Sequence, residues 1–434
     1  MKATSVALMA VTSICGVTAC GNSNGASQAT GKSTTVDITF WHPWTSASSN
    51  AINAVIAEFN ATHKDVHVDA IGNQTTQKQT IALAGGTPPD VMLTDSTNVI
   101  PWAAQGAIAP LNSYMKTNNF SVNQFIPSTM NPMDYNNQVY ALPYSVGIES
   151  ALLYNKKDFK EAGISQPPKT LGELYADAQK LTKKGSKGNI TQVGFIPDFP
   201  WFDPVFWPLV FGGKFYDAST NQVTPDDPAN VQALEFERKF YVLYGENQLN
   251  KFKSGFGKLG TADDPLVNGQ LAMEAGWDYT DSQYRGAGQP IGVATFPYPD
   301  GHPELQGAGL IGPDAVLIPA KAKHKQAAWE FIEWMMSKKA QILFSEKGNS
   351  IPSVTADLTD PSLLSNPSDK VMIPFYKMAS SKNLGSFPSS TYAAQYAQAM
   401  SDEGEKVLLG QENAETAMKN VKQQIQPLVK PTSN

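Results

Sequence analysis

Apolar positions recur along this chain in two rhythms that take turns. "VDITFW", from Val36 to Trp41, is a β-rich run. After it Ile52, Val55, Ile56 and Phe59 fall at helical spacing on one face, with Ser46 and Ser48 as candidate caps. "VHVDAI" alternates as a strand; "TTQKQTIALAGG" reads as a helix stopped by Gly85 and Gly86, and Pro88 and Pro89 block its continuation before the strand "DVMLT". The same grammar returns in "ALLYN" (strand), "TLGELYADAQKLTKK" (helix, with Leu171, Leu174 and Ala178 on one face) and "TQVGFI" (strand). A long helix follows in "PANVQALEFERKFYVLYGEN", then the strand "AVLIP" and two helical stretches joined around Ser337. From Tyr392 the tail is nearly all helix, ended by Pro427 and Pro431. Strand and helix in alternation predict an α/β protein, and no short-period repeat points to a solenoid.

Length refines this, because 434 residues exceed what one small core organises and suggest two domains. A formal charge of -6 gives no basic footprint for nucleic acid. The amino terminus reads separately: Lys2, a weakly apolar stretch and "VTAC" ending at Cys20 have the layout of a secretory signal over 1–19. "VTAC" resembles a bacterial lipobox, in which the Cys becomes the lipid-bearing first residue. Residues 20–35 hold no aliphatic or aromatic anchor beyond Ala and are expected to form a flexible tether. Cys15 falls in the removed segment, so the mature body has no disulfide partner for Cys20.

Searches for catalytic chemistry find no phosphate-cradling "GxxxxGK", no "HExxH" and no "GxSxG" elbow with its oxyanion arrangement. The histidines at 42, 63, 67, 302 and 324 lack metal-ligand spacing, so neither a metal nor a cofactor is expected. Aromatic residues say more. "DFPWFDPVFWPLVFGG" sets Trp201 beside Asp203, and "GWDYTD" pairs Trp277 with Asp278. Any single ring there is more often core, yet a pyranose calls for a flat ring with a carboxylate or amide next to it.

"AGGTPPDVMLTDSTNVIPWAAQGAIAPLNSYM", "ALPYSVGIESALLYNKKDFKEAG", "LAMEAGW" and "AAWEFIEWMMSKKAQILFSEKGNSIPS" resemble the extracellular solute-binding proteins of bacterial carbohydrate ABC importers. The similarity is to the branch that takes up oligosaccharides, including maltose, and glycerol phosphate, and it covers nearly all of the mature chain. It implies a type II-like periplasmic-binding-protein fold, two α/β lobes joined by crossovers around a cleft, with 36–143 plus 307–357 as one lobe and 144–306 plus 358–434 as the other. Hinge flexibility would fall on Gly147, Gly307 and Gly309. Implied ligand contacts are His42, Trp44 and Ser46 after the first strand, Asp95, Ser96 and Asn98 after "DVML", and Glu149, Trp201, Asp203, Trp277, Asp278 and Phe387 from the other lobe. Trp329 and Trp334 sit at core-like helical spacing and read as structural.

The implied partners are a carbohydrate and the importer's membrane permease, engaged by a monomer held outside the membrane through lipid alone, as in Gram-positive members of the family. Only two arginines, Arg238 and Arg285, occur; Arg238 reads as a solvated helix position and Arg285 as one that could reach a cleft, so a neutral sugar is favoured with glycerol phosphate as the alternative. A rival from another class is a secreted glycoside hydrolase using Glu149, Asp203 or Asp278.

Overall fold

The computed structural model describes residues 35–199, 204–258, 261–278, 290–365 and 372–430. Strands β1 (Val36–Trp41), β2 (Val66–Ile71) and β3 (Val91–Asp95) pair in parallel with β1 in the middle. The helix Ser46–Thr62 crosses from β1 to β2 and buries Ile52, Val55, Ile56 and Phe59, as their spacing predicts. Its start differs from expectation. Thr45 is the N-cap and makes no side-chain cap bond, while Ser46 takes a left-handed φ of 50°. The next helix, Thr76–Gly85, ends on Gly86 at φ 75°, the left-handed cap that glycine supplies.

A 15-residue strand, β4 (Ala141–Asn155), then runs through the molecule, followed by β5 (Ile190–Phe195), β6 (Leu271–Trp277), β7 (Ile291–Thr295) and β8 (Gly309–Leu317). The principal sheet places them in the order β2-β1-β3-β8-β4-β6-β5, with β7 also pairing β4. β8 is antiparallel to both β3 and β4, and β6 is antiparallel to β4 but parallel to β5.

Two large cores flank this shared sheet. One joins Phe40, Phe59, Val91 and Leu93 to Trp329, Phe331 and Phe344; its fully buried members include none between 145 and 315. The other joins Leu174, Ala178, Phe195, Trp207 and Phe240 to Met400 and Val421, and its fully buried members fall within 152–296 and 396–425. A third cluster, with Val146, Ile148, Ile311 and Phe375, lies along the middle of β4 and β8. Trp329 and Trp334 are both buried, and Trp329 Nε1 donates to Glu333 at 3.1 Å. Capping is orthodox where the sequence signals it: Thr170 and Glu173 form a capping box on Leu171–Leu181, and Ser337 caps Lys338–Gly348. Arg238 departs from expectation. Instead of standing in solvent it donates to the Leu408 carbonyl at 2.8 Å and pairs with Glu246, tying the helix Pro228–Tyr244 to the carboxy-terminal helices.

Candidate functional site

Where β3 and β6 finish and β8 begins, the sheet opens into a cavity of about 480 Å³ between the two large cores. Asp95, Ser96 and Asn98 enter from the turn after β3. Asp95 holds that turn by accepting from the Thr97 amide at 2.8 Å, and the Asn98 side-chain amide donates to Thr94 Oγ1 at 2.9 Å. Across the cavity stand Trp277, at the last position of β6, and Phe387, whose ring packs edge-on against Phe215 (4.9 Å) and Tyr396 (5.1 Å). Ser386 and Ser389 to Thr391 complete that wall.

Trp277 lies where it does because the strands beneath it carry no side chains. Gly147 of β4 and Gly312 of β8 are direct register partners. A Cβ at Gly147 would stand 3.3 Å from indole Cε3 and Cζ3, and one at Gly312 3.8 Å from Cη2. The facing glycines form a flat floor for the indole, and the β6 pairing slips register between Gly276 and Trp277, where the chain turns toward the cavity. Gly147, expected as a hinge, also lies against the indole. Gly309 has a comparable packing role, since a Cβ there would meet the Glu149 carbonyl oxygen at 2.3 Å, whereas Gly307 adopts φ 76° in a turn.

Carboxylates border this floor. Asp314 on β8 faces Asp95 in the β3 register and accepts from Ser145 Oγ at 2.7 Å. Asp278, next to the indole, is buried and accepts from the Ile148 amide at 3.0 Å. Desolvation pushes each of them up to about 7, with Asp314 adding to the shift of Asp278 and Asp95 to that of Asp314. Glu149 is buried in β4 as the register partner of Leu310 and Trp277, and its side chain is not among those that line the cavity. Among the described residues, no three His, Cys, Asp or Glu side chains converge so as to hold a metal ion.

The predicted set thus divides. Asp95, Ser96, Asn98, Trp277 and Phe387 come together on the cavity walls, with Asp278 directly behind the indole. His42, Trp44 and Ser46, expected in a cleft-facing loop, are not among the residues that line this cavity. His42 is 1% exposed between Phe40 (5.6 Å) and Trp44 (6.0 Å), and burial lowers its pKa so that the ring stays neutral. Trp44 stacks on Phe344 at 4.9 Å, half-buried against the first core, and Ser46 is exposed without lining the cavity. Trp201, Asp203, Arg285 and Cys20 lie outside the described residues. Sequence reading missed Gly312 and Asp314; the signal was a glycine and a carboxylate at the start of "GPDAVLIP", where an apolar strand should have begun.

The description "bacterial extracellular solute-binding protein" matches residues 43–342. The maltotriose-binding protein of Pyrococcus abyssi (strain GE5 / Orsay) is 23% identical over 347 residues, 76% of this chain and 69% of that one. The solved structure of CpMnBP1 with mannobiose bound is 28% identical and covers 90% of this chain and 99% of its own, at a TM-score of 0.73. A cyclic alpha-maltosyl-1,6-maltose binding protein from Arthrobacter globiformis reaches a TM-score of 0.75 at 18% identity, with 91% and 99% covered, a likeness of fold. The expected two-lobed periplasmic-binding-protein fold is the fold observed. With its own cavity between two cores and a family pattern running over most of its length, the chain belongs to the bacterial extracellular solute-binding proteins.

Proposed function

We propose that this protein captures a neutral oligosaccharide in the cavity between its lobes and hands it to the permease of an ABC importer. One observation carries the choice of ligand. The cavity walls combine an indole, a phenyl ring, a carboxylate, an amide and four hydroxyl side chains or more, and among the described residues no Lys or Arg lines them. That donor and acceptor set suits the C–H face and hydroxyl rim of a sugar and offers nothing to neutralise a phosphate. The relatives agree in kind, being named for maltotriose and solved with mannobiose.

Lobe boundaries at 36–143 plus 307–357 and 144–306 plus 358–434 fit the two separate cores. Closure of one lobe on the other around sugar would shift the population toward the form that docks on the permease. No bond need be broken. Asp278 is engaged by a backbone amide and serves to hold the crossover strand, so a glycosidase role is not part of this reading. Cys20 is proposed as the lipid anchor, in keeping with a family that works outside the membrane; among the described residues no helix is long and apolar enough to cross one.

Titrating the mature protein with a sugar panel by calorimetry and tryptophan fluorescence tests the ligand class. Saturable binding of a neutral oligosaccharide is expected. Thermal stabilisation by glycerol phosphate, with no response to any neutral sugar, would overturn it.

A further inference from the structure

A second cavity, of about 750 Å³, adjoins the first. The segment Ser389, Ser390 and Thr391 is a wall of both, and on the opposite side Ile100 opens onto the second where its neighbour Pro101 opens onto the first. The two spaces are therefore successive stretches of one trench between the cores.

The second stretch is lined chiefly by Tyr135, Asn136 and Asn137 on one side and by Tyr216, Asn221 and Tyr392 on the other, with Lys430 beside them as the one cation among its lining residues. Asn136 and Asn137 form the two-residue tip of a hairpin in which Asp134 pairs Val139 and Tyr135 pairs Gln138. Both take left-handed φ, 53° and 60°, a backbone state that asparagine tolerates in such turns. Tyr135 packs on the cluster containing Trp102, while Tyr216 and Tyr392 pack on the second large core, so the facing rings belong to opposite sides of the trench. Their polar ends are prepared. The Tyr216 hydroxyl donates to Asn221 Oδ1 at 2.6 Å, and the Asn221 amide nitrogen donates to the Lys430 carbonyl at 3.1 Å. Burial, aided by Tyr216, raises the pKa of Tyr392, which keeps its hydroxyl protonated.

Three aromatic faces with hydroxyl and amide edges, continuous with the Trp277 and Phe387 cavity, repeat the same recognition chemistry one step along. From this geometry we infer that the Tyr/Asn chamber is a further carbohydrate subsite, and that the ligand is an oligosaccharide long enough to pass Ser389–Thr391 and occupy both stretches. This rests on the carbohydrate reading above. It commits to a chain length that the first cavity alone does not require.

Calorimetric titration with malto- and manno-oligosaccharides of two to six units provides the test, on the wild type and on Tyr216→Ala and Tyr135→Ala, which lie on opposite sides. In the wild type affinity should climb beyond the disaccharide. Each variant should bind the longer members about tenfold more weakly while the disaccharide stays within about twofold. A wild-type affinity that is flat with length overturns the second subsite, and so does a length advantage kept in both variants. Should one variant fail to fold by circular dichroism, the other decides. Failure of every sugar to bind the wild type would instead bring down the carbohydrate reading, and this inference with it.

Discussion

Two stretches of this chain look alike as sequence and are opposites as structure. "FWHPW" and "GWDY" each put an indole beside a polar side chain as a strand gives out. Trp44 in the first is stacked on Phe344 with Tyr144 nearby, whereas Trp277 in the second lies over Gly147 and Gly312 with the cavity in front of it. What separates them is the partner across the sheet or helix. Large rings beside an indole hold it against a core; glycines beside an indole leave it room at the cavity wall. The contrast makes different demands on each residue, so substitutions can break it.

The largest effect is expected at Trp44. Trp44→Ala removes a ring stacked on Phe344 against the first core and should lower unfolding stability by about 3 kcal/mol in chemical denaturation. Affinity of the folded fraction for sugar should stay near wild type. A strong loss of affinity with unchanged stability would return Trp44 to the ligand site. Trp277→Ala should do the reverse, costing about 2 kcal/mol of binding by calorimetry while the thermal midpoint moves little. If Trp277→Ala instead lowers the thermal midpoint sharply while the folded fraction keeps wild-type affinity, the indole is core.

Much of the fold was legible because its signals are local. The spacing of Ile52, Val55, Ile56 and Phe59, that of Leu171, Leu174 and Ala178, and the stop at Gly85–Gly86 are each settled within a few residues, and each helix formed with the expected face buried or the expected end, though the first starts after Thr45. The site was legible only in part. Asp95, Ser96, Asn98, Trp277 and Phe387 converge, but their convergence depends on β8 returning between β3 and β4, a pairing over more than 150 residues. Which rings meet glycine and which meet Phe344 is likewise a matter of register. The Tyr135 and Tyr216 chamber joins turns that share no motif, so no spacing could announce it.

The carboxylates behind the floor add a pH dependence to the comparison. Asp278 and Asp314 have folded-state pKa values raised to about 7, above the ordinary value of 3.8. From about pH 4 to about pH 7 the unfolded chain has lost these protons and the folded protein keeps them. Stability contributed by the two groups is therefore complete at low pH, falls as pH rises through that window and levels off above it. Each carboxyl can supply a slope of up to about 1.4 kcal/mol per pH unit. Denaturation midpoints of Asp278→Asn, measured across the window, should fall less steeply than those of the wild type. Parallel profiles would mean that Asp278 is ionised in the folded protein at neutral pH.

The smallest expected effect bears most directly on the floor itself. At Gly147 the backbone does not require glycine, because its φ is not left-handed, so Ala fails or succeeds on space alone. The added methyl would stand 3.3 Å from the indole, tighter than an ordinary contact and relieved by moving the ring a few tenths of an ångström toward the cavity. The fold has room for that shift, since Trp277 lines the cavity. Gly147→Ala should therefore leave stability nearly unchanged and weaken sugar binding by about 1 kcal/mol, in the range of mild overpacking. In the Trp277→Ala background the same substitution should have no further effect on affinity, because the ring it displaces is gone. An equal loss in both backgrounds would mean that Gly147 acts through the backbone, as a hinge, and that its place under the indole is incidental.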